Sequence, residues 1–329
     1  MRKLQIDRFQ KVLILIIVLY SIFVTIKNPS FFQIATLFDI IRTSSTTMIV
    51  AIGLLVVMLS GGIDVSFMSI ALFGSYTAIN LMISAGINNI FFAFGVSAAI
   101  GAVLGLINAL LINWLKLPPF IITLGTQNLF HGVMTTFIGD KSFGAGVLPR
   151  CLSGFGRSSI LNIGGSKLTA SVIPVILVGI LTWFILYRTM TGRGIVAIGN
   201  NEESARRAGF SPFRIRLFVY AYSGILAGIM GMLYVCQTNA LYPNKLVGDE
   251  LTVVAAVVIG GTKITGGMGK ILGAVLGVAI IYLLNTTLIM IGLSSSWNDL
   301  FVGTILVISV AVTSYQERVR NRNHLIFTE

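Results

Sequence analysis

The sequence predicts an all-α, polytopic membrane protein of about ten transmembrane helices, on three observations. Of its 329 residues 55% are hydrophobic and only 10% charged, whereas a soluble domain carries about a quarter of its residues charged. The mean hydropathy is +0.92. The apolar residues fall into successive runs of roughly 20, the length an α-helix needs to cross the hydrocarbon core. A sequence pI near 10.0 does not indicate a nucleic-acid partner, because the basic residues sit in short segments between apolar runs and not on one face of a folded domain.

The runs place candidate spans at about 12–26, 42–60, 66–86, 91–115, 118–138, 168–187, 214–237, 250–262, 270–292 and 297–314. The eighth is short, and the fifth opens on Pro118 and Pro119. The first follows Arg2, Lys3, Arg8 and Lys11 as a signal peptide would, yet "VTIKNPSFF" offers no small-x-small cleavage site, so it reads as a retained helix. A cytoplasmic N-terminus puts 16 of the 23 Lys and Arg on the inside, among them Lys116, Arg188, Arg193, Arg214, Arg216, Lys263 and Lys270. That bias favours both termini in the cytoplasm, which requires an even number of spans. The chain reads as one transmembrane domain, 1–329, with cytoplasmic segments at 1–11, 188–213 and 315–329.

Two stretches, "AIGAVLGLINALLIN" at 99–113 and "ILGAVLGVAIIYLLN" at 271–285, share GAVLG and a closing Asn in spans that run in opposite directions. An inverted five-plus-five repeat would have that property. Small residues at a spacing of four also recur in any tightly packed membrane bundle, because they let backbones approach.

Polar residues inside these runs are the candidate functional groups. "VVMLSGGIDVSFMSIALFG" carries Asp64 behind Gly61 and Gly62. A carboxylate at a helix centre costs about 2.5–3.5 kcal/mol on insertion scales, whereas at the start of a following helix it accepts backbone N–H bonds. Asp64 therefore reads either as a helix cap or as a pathway or gating residue at a discontinuous helix. Gly260, Gly261, Gly266 and Gly267 mark a second glycine-rich break. Asn108, Thr123, Asn128 and Asn285, with Asn113, Gln127 and His131, offer neutral donors and acceptors to a small polar solute, or hydrogen bonds between helices.

The one polar segment with a complete local signal is "RTMTGRGIVAIGNNEESARRAGFSPFRIR", residues 188–216. Asn201 can cap a two-turn helix that begins with Glu202 and Glu203, ends with Arg206 and Arg207, and stops at Gly209 before Pro212. A helix so short is marginal in water, so it must pack, either on the rim of its own bundle or in a groove of a partner.

"GRGIVAIGNNEESARRAGF" resembles the coupling segment of the ribose-type permeases of bacterial ATP-binding-cassette importers, with Gly192, Arg193, Ala197, Gly199, Asn201, Ala205 and Gly209 in register and Ser204 in place of the usual Ala. "SGGIDVS", "FIITLGTQNLFHG" and "DELTVVAAVVIGGTKITGGMGKILGAVLG" are similar to three further segments of that family, in the same order across about residues 45–310. Phe67, Met68 and Lys263 depart from its pattern. The resemblance implies an ATPase-coupling role for Asn201, Glu202, Glu203, Ala205, Arg206 and Gly209. It also implies a bacterial inner-membrane location, separate ATP-binding subunits that hold ATP and magnesium, a second permease copy or a related permease, an extracytoplasmic sugar-binding protein meeting loops 139–167 and 238–249, and a monosaccharide or sugar-like solute.

No catalytic centre is expected in the chain itself. "GGMGKI" at 266–271 lacks the Ser or Thr that must follow the Lys of a phosphate-binding loop. His131 and His324 stand without acidic neighbours, so no metal site or cofactor is expected either, and Cys151 with Cys236 lack C-x-x-C spacing and read as idle thiols. Two other classes stay open: a secondary transporter or channel driven by an ion gradient, which would rely on Asp64 and His131, and a membrane scaffold, which leaves the capped helix without a purpose. Uptake abolished by an uncoupler yet retained without an ATPase would favour the former.

Overall fold

The computed structural model describes residues 7–294, 296–298, 300–304, 307 and 311. In chain order the helices are α1 (Arg8–Lys27), α2 (Ile34–Leu59), α3 (Phe67–Ser84), α4 (Ile90–Leu115), α5 (Pro119–Val133), α6 (Arg150–Arg157), α7 (Val172–Arg188), α8 (Met190–Asn200), α9 (Glu202–Arg207), α10 (Pro212–Thr238), α11 (Glu250–Ile259) and α12 (Ile271–Met290). A wide helical turn, Met134–Ile138, prolongs α5. The otherwise helical fold carries one unexpected hairpin, antiparallel β1 (Ser159–Ile163) and β2 (Ser166–Thr169), turned at Gly164 and Gly165, both with positive φ. It occupies a connecting loop, where alternate strand pairing satisfies backbone groups without intruding on the bundle.

Among the described residues, α1, α2, α3, α4, α10 and α12 are long and apolar enough to cross a membrane by length and composition. The α7–α8 pair qualifies together but bends by 75° at Thr189, so α8 lies across the end of the bundle. The expected eighth span is α11, whose ten residues rise only about 15 Å, half a bilayer. It stops there because Gly260 and Gly261 close its last turn. The expected tenth span, 297–314, and the tail 315–329 lie largely or wholly outside the described residues.

Apolar side chains cover the outside: Leu15, Leu19, Leu177 and Ile180 are at least 55% exposed. Polar side chains such as Ser69, Ser75, Ser97 and Asn108 are turned inward, the inversion expected where the surroundings are hydrocarbon.

Helix α10 is the hub, packed on α2, α3 and α4. Its contact with α4 is built from two runs spaced by four, Ser97-Gly101-Gly105 and Tyr220-Gly224-Gly228. A methyl on Gly101 would overlap the carbonyl oxygen of Gly224, one on Gly224 that of Gly101, and one on Gly105 that of Tyr220. The backbones are therefore in direct contact, and Ser97 Oγ adds a bond to Gly228 O at 2.8 Å. The second GAVLG stretch works the same way on another partner: Gly273 and Gly277 of α12 meet Gly260 and Ala256 of α11 backbone to backbone.

Candidate functional site

One end of the bundle gathers the ends of α2, α4 and α11, the starts of α5, α10 and α12, and the crosswise α8–α9 segment. Two identical helix stops lie there. Helix α2 ends with Gly61 at φ 87°, Gly62 N–H donating to Val57 O and Gly61 N–H to Met58 O; α11 ends with Gly261 at φ 87°, Thr262 N–H donating to Val257 O and Gly261 N–H to Val258 O. Only glycine takes that backbone conformation without strain. Of the six glycines expected to break helices, Gly61, Gly261, Gly266 and Gly267 have positive φ. Gly62 and Gly260 do not, and serve by lacking a side chain. A methyl on Gly62 would stand 2.5 Å from the Tyr220 hydroxyl, and one on Gly260 would overlap Gly273 O.

Helix α8 is locked into both stops. Its Gly199 leaves no room for a methyl, which would overlap the Leu59 carbonyl oxygen and lie 2.6 Å from Gly267 N. Gly267 N–H donates to Leu59 O at 3.0 Å. A methyl on Gly266 would come within 2.7 Å of Gly61 Cα and 2.8 Å of Gly199 O. The break after α2, the α11–α12 loop and the end of α8 thus form one glycine junction. Lys270, at the end of that loop, reaches Asp7 at the start of α1 (2.7 Å).

Helix α9 follows the expected chemistry. Asn201 Oδ1 accepts from Ser204 N–H at 2.8 Å, and Gly209, φ 88°, closes the far end with Phe210 N–H donating to Ala205 O. Ala205 is buried against the bundle, whereas Glu203, Arg206, Arg207 and Gly209 face outward. Glu202 pairs with Arg216 of α10, and Arg216 also donates to Asn113 Oδ1 of α4 at 3.3 Å. Beside α9 opens a cleft of about 820 Å³ lined by Asn113, Lys116, Glu202, Arg206, Phe210 and Arg216 among others. Rim packing and an outward face coexist in this helix.

The expected pathway residues divide. Asp64, Asn108 and Thr123 come together at the α2–α3 break. Thr123 Oγ1 donates to Ile63 O and accepts from Val65 N–H, each at 3.3 Å. Asp64 does not cap α3, contrary to the cap expectation: the helix begins at Phe67, and Asp64 Oδ1 instead accepts from Ser66 N–H (2.8 Å) and Ser66 Oγ (2.7 Å), closing the turn that leads into it. Asp64 thus stands three residues before the first residue of α3, and it is fully buried. Asn128 stands apart, exposed on α5 and bonded to Leu124 O of its own helix at 3.0 Å. Asn285 is half-buried on α12, away from this group.

Sequence reasoning missed Tyr220 and Ser223, which α10 presents toward Asp64; their spacing of three beside Gly224 is the signal that was available. It also missed Glu250. Gln127 Nε2 donates to buried Glu250 Oε1 at 2.6 Å, while Gly248 N–H holds the other carboxylate oxygen at 2.9 Å. Gln127→Leu leaves that oxygen unpartnered and is expected to cost about 1–3 kcal/mol, read as a lower thermal midpoint in detergent; an unchanged midpoint would show the pair to be dispensable. At the end of the bundle opposite the glycine junction, loops 139–167 and 238–249 are joined by Phe143 and Leu241, which exchange two backbone bonds of 2.9 Å. His131 Nε2 donates a hydrogen bond to Pro243 O at 3.0 Å, tying α5 to loop 238–249. Both cysteines are free, and burial pushes the Cys151 thiol above its usual range.

Among the described residues no group of three or more His, Cys, Asp or Glu could hold a metal. No solved structure matches the chain. The ribose import permease protein RbsC of Escherichia coli (strain K12) is 31% identical over 314 residues, 94% of each chain. That of Bacillus subtilis (strain 168) is 33% identical over 298 residues, 88% of each. The autoinducer 2 import system permease protein LsrC of Enterobacter sp. (strain 638) is 32% identical over 295 residues, covering 89% of this chain and 82% of the relative. Residues 36–310 match the family model described as the permease component of the branched-chain amino acid transport system, so the chain belongs to that family of multi-pass transport permeases.

Proposed function

We propose that the chain is the membrane-spanning subunit of an ATP-binding-cassette importer for a monosaccharide or sugar-like small solute in a bacterial inner membrane. The carrying observation is the α9 helix, whose outward face is free while its inner face reaches, through α8 and Gly199, both helix breaks. The relatives' names, ribose and autoinducer 2 import permeases, support a sugar-like solute over an amino acid.

In this reading the glycine-junction end is cytoplasmic, with both termini on that side. Residues 188–213 form the coupling loop, and the whole chain is a single permease domain of ten spans counting α11 as a half-span. The GAVLG stretches of α4 and α12 support a five-plus-five inverted repeat. Two permeases, identical or related, pair. An ATPase subunit seats the outer face of α9, with Glu203, Arg206 and Gly209 at the contact and the basic cleft beside it; ATP and magnesium belong to that subunit. Its closure moves α8–α9, and the junction passes the displacement to the α2–α3 and α11–α12 breaks, which alternate access to the pathway past Thr123 and Asn108. A binding protein outside delivers solute to the joined loops at the opposite end, so the pathway itself can bind weakly. Neutral hydroxyl and amide groups suit such a solute.

Reversing the outward charges of α9 with the pair Glu203→Arg and Arg207→Glu leaves the buried face intact. Loss of ATPase co-purification and of uptake, with normal membrane expression, is expected. The variant combining Ala205→Asp with Gly209→Val should lose both as well; normal uptake and normal ATPase association in the two variants would remove the coupling assignment.

A further inference from the structure

Four buried oxygen atoms beside the α2–α3 break have no hydrogen bond of ordinary length and angle: Asp64 Oδ2, Asn108 Oδ1, Tyr220 Oη and Ser223 Oγ. Their residues are at most 1% exposed, and leaving buried polar atoms unpaired is costly. They share one locus. Ser66 joins Asp64 to Asn108, donating from Oγ to the carboxylate at 2.7 Å and accepting from Asn108 Nδ2 at 2.7 Å. The Tyr220 hydroxyl lies over Gly62, where even a methyl would be 2.5 Å from it. Tyr220 and Ser223, one turn apart on α10, both face the Asp64 carboxyl, the Ser223 hydroxyl within reach of a weak hydrogen bond to it. Among the described residues no ion pair involves Asp64. The nearest cation on α10, Arg216, is committed to Glu202 and Asn113.

We propose that these four oxygens bind a single monovalent cation of sodium's kind, which fastens the α2–α3 break to α4 and α10. A carboxylate, an amide carbonyl and two hydroxyls form an all-oxygen, singly charged donor set, suited to a hard cation and unsuited to a soft one. A water molecule would satisfy hydrogen bonds but would require the buried carboxyl to take up a proton as well, whereas a cation supplies the counter-charge itself. Unwound backbone at a helix break, together with the negative C-terminal end of the preceding helix, here α2, is where membrane transporters coordinate cations. The site goes beyond the import reading and stands or falls independently of it.

The test uses the purified full chain in detergent, with sodium chloride against choline chloride at equal ionic strength. Sodium is expected to raise the thermal midpoint in a saturable manner, by about 3 °C or more, since a ligand bound only by the folded state stabilises it by mass action. Asp64→Asn, similar in shape but uncharged, abolishes the shift. Ser223→Ala leaves the carboxylate and raises the sodium concentration for half-effect about tenfold or more, the loss of one ligand. Equal midpoints in both salts overturn the proposal, as does a sodium shift that persists unchanged in both variants. Should Asp64→Asn fail to fold, Ser223→Ala decides alone. ATP-driven uptake measured with and without a sodium ionophore separates the two questions: insensitivity is expected, because the cation is held and not co-transported, whereas loss of uptake would contradict the import reading and leave the site standing.

Discussion

Gly199→Val is expected to abolish uptake while the permease still accumulates in the membrane and still binds its ATPase. The substituted side chain has nowhere to go: its Cβ alone overlaps Leu59 O and crowds Gly267 N. Both of those atoms are committed to the hydrogen bond that joins α2 to the α11–α12 loop. Overpacking of this kind costs about 1–3 kcal/mol, and a cost of about 2 kcal/mol falling on the conformation that α8 must share with both breaks shifts that equilibrium some thirtyfold. The exposed face of α9 is unaffected, which is why ATPase association survives. Radiolabelled uptake in whole cells, beside co-purification of the ATPase, separates the two effects. Gly179→Val, whose added Cβ meets nothing within 4 Å on α7, is the control expected to transport normally.

Gly224→Leu is expected to have the largest effect on stability. Gly101 and Gly224 place each other's carbonyl within reach of any added carbon, and one turn away on either side a carbon on Gly105 would meet Tyr220 O and one on Gly228 would meet Ser97 O. A leucine there must separate α4 from the hub helix along its length, breaking the Ser97 Oγ bond to Gly228 O as well. Without a hydrophobic force between helices in lipid, this backbone packing is what holds the pair together. The loss is at least the about 3 kcal/mol at the upper end of overpacking, seen as a collapsed monodisperse yield and a thermal midpoint lowered by several degrees. Gly95→Leu lies on the exposed face of the same α4 helix with nothing within 4 Å and is expected to be silent; equal behaviour of the two variants would refute the interlock.

Much of this was legible in the sequence, and the reasons are physical. Apolar runs of membrane length located α1 to α4, α10 and α12, because spanning helices must satisfy their backbones internally. The α9 boundaries emerged from local chemistry alone: Asn201 at the cap and Gly209 at the stop occupy the positions whose backbone geometry selects them. What was not legible depends on contacts distant in sequence. Nothing in "SGGIDVS" says that Gly62 lies under the Tyr220 hydroxyl, or that Asp64 points past α3 into a cluster fed by α10. The glycines of α8 and of the α11–α12 loop are informative one by one, yet only the fold brings Gly199, Gly61 and Gly266 within one junction. Asn128 shows the converse: an amide in an apolar run reads as inward-facing, but here it bonds back to Leu124 O of its own helix and its side chain is exposed.

The central claim is that the outward face of α9 receives the ATPase and that the opposite end of the bundle faces outside. A photo-crosslinking amino acid placed at Glu203, and separately at Phe137, in cells carrying the complete import system tests it most directly. Both positions are exposed, Phe137 to 80%, and they mark opposite ends of the bundle. An adduct with the ATP-binding subunit from position 203 and none from position 137 is the predicted result. An ATPase adduct from position 137, or none from position 203 in a transport-competent cell, would contradict the account.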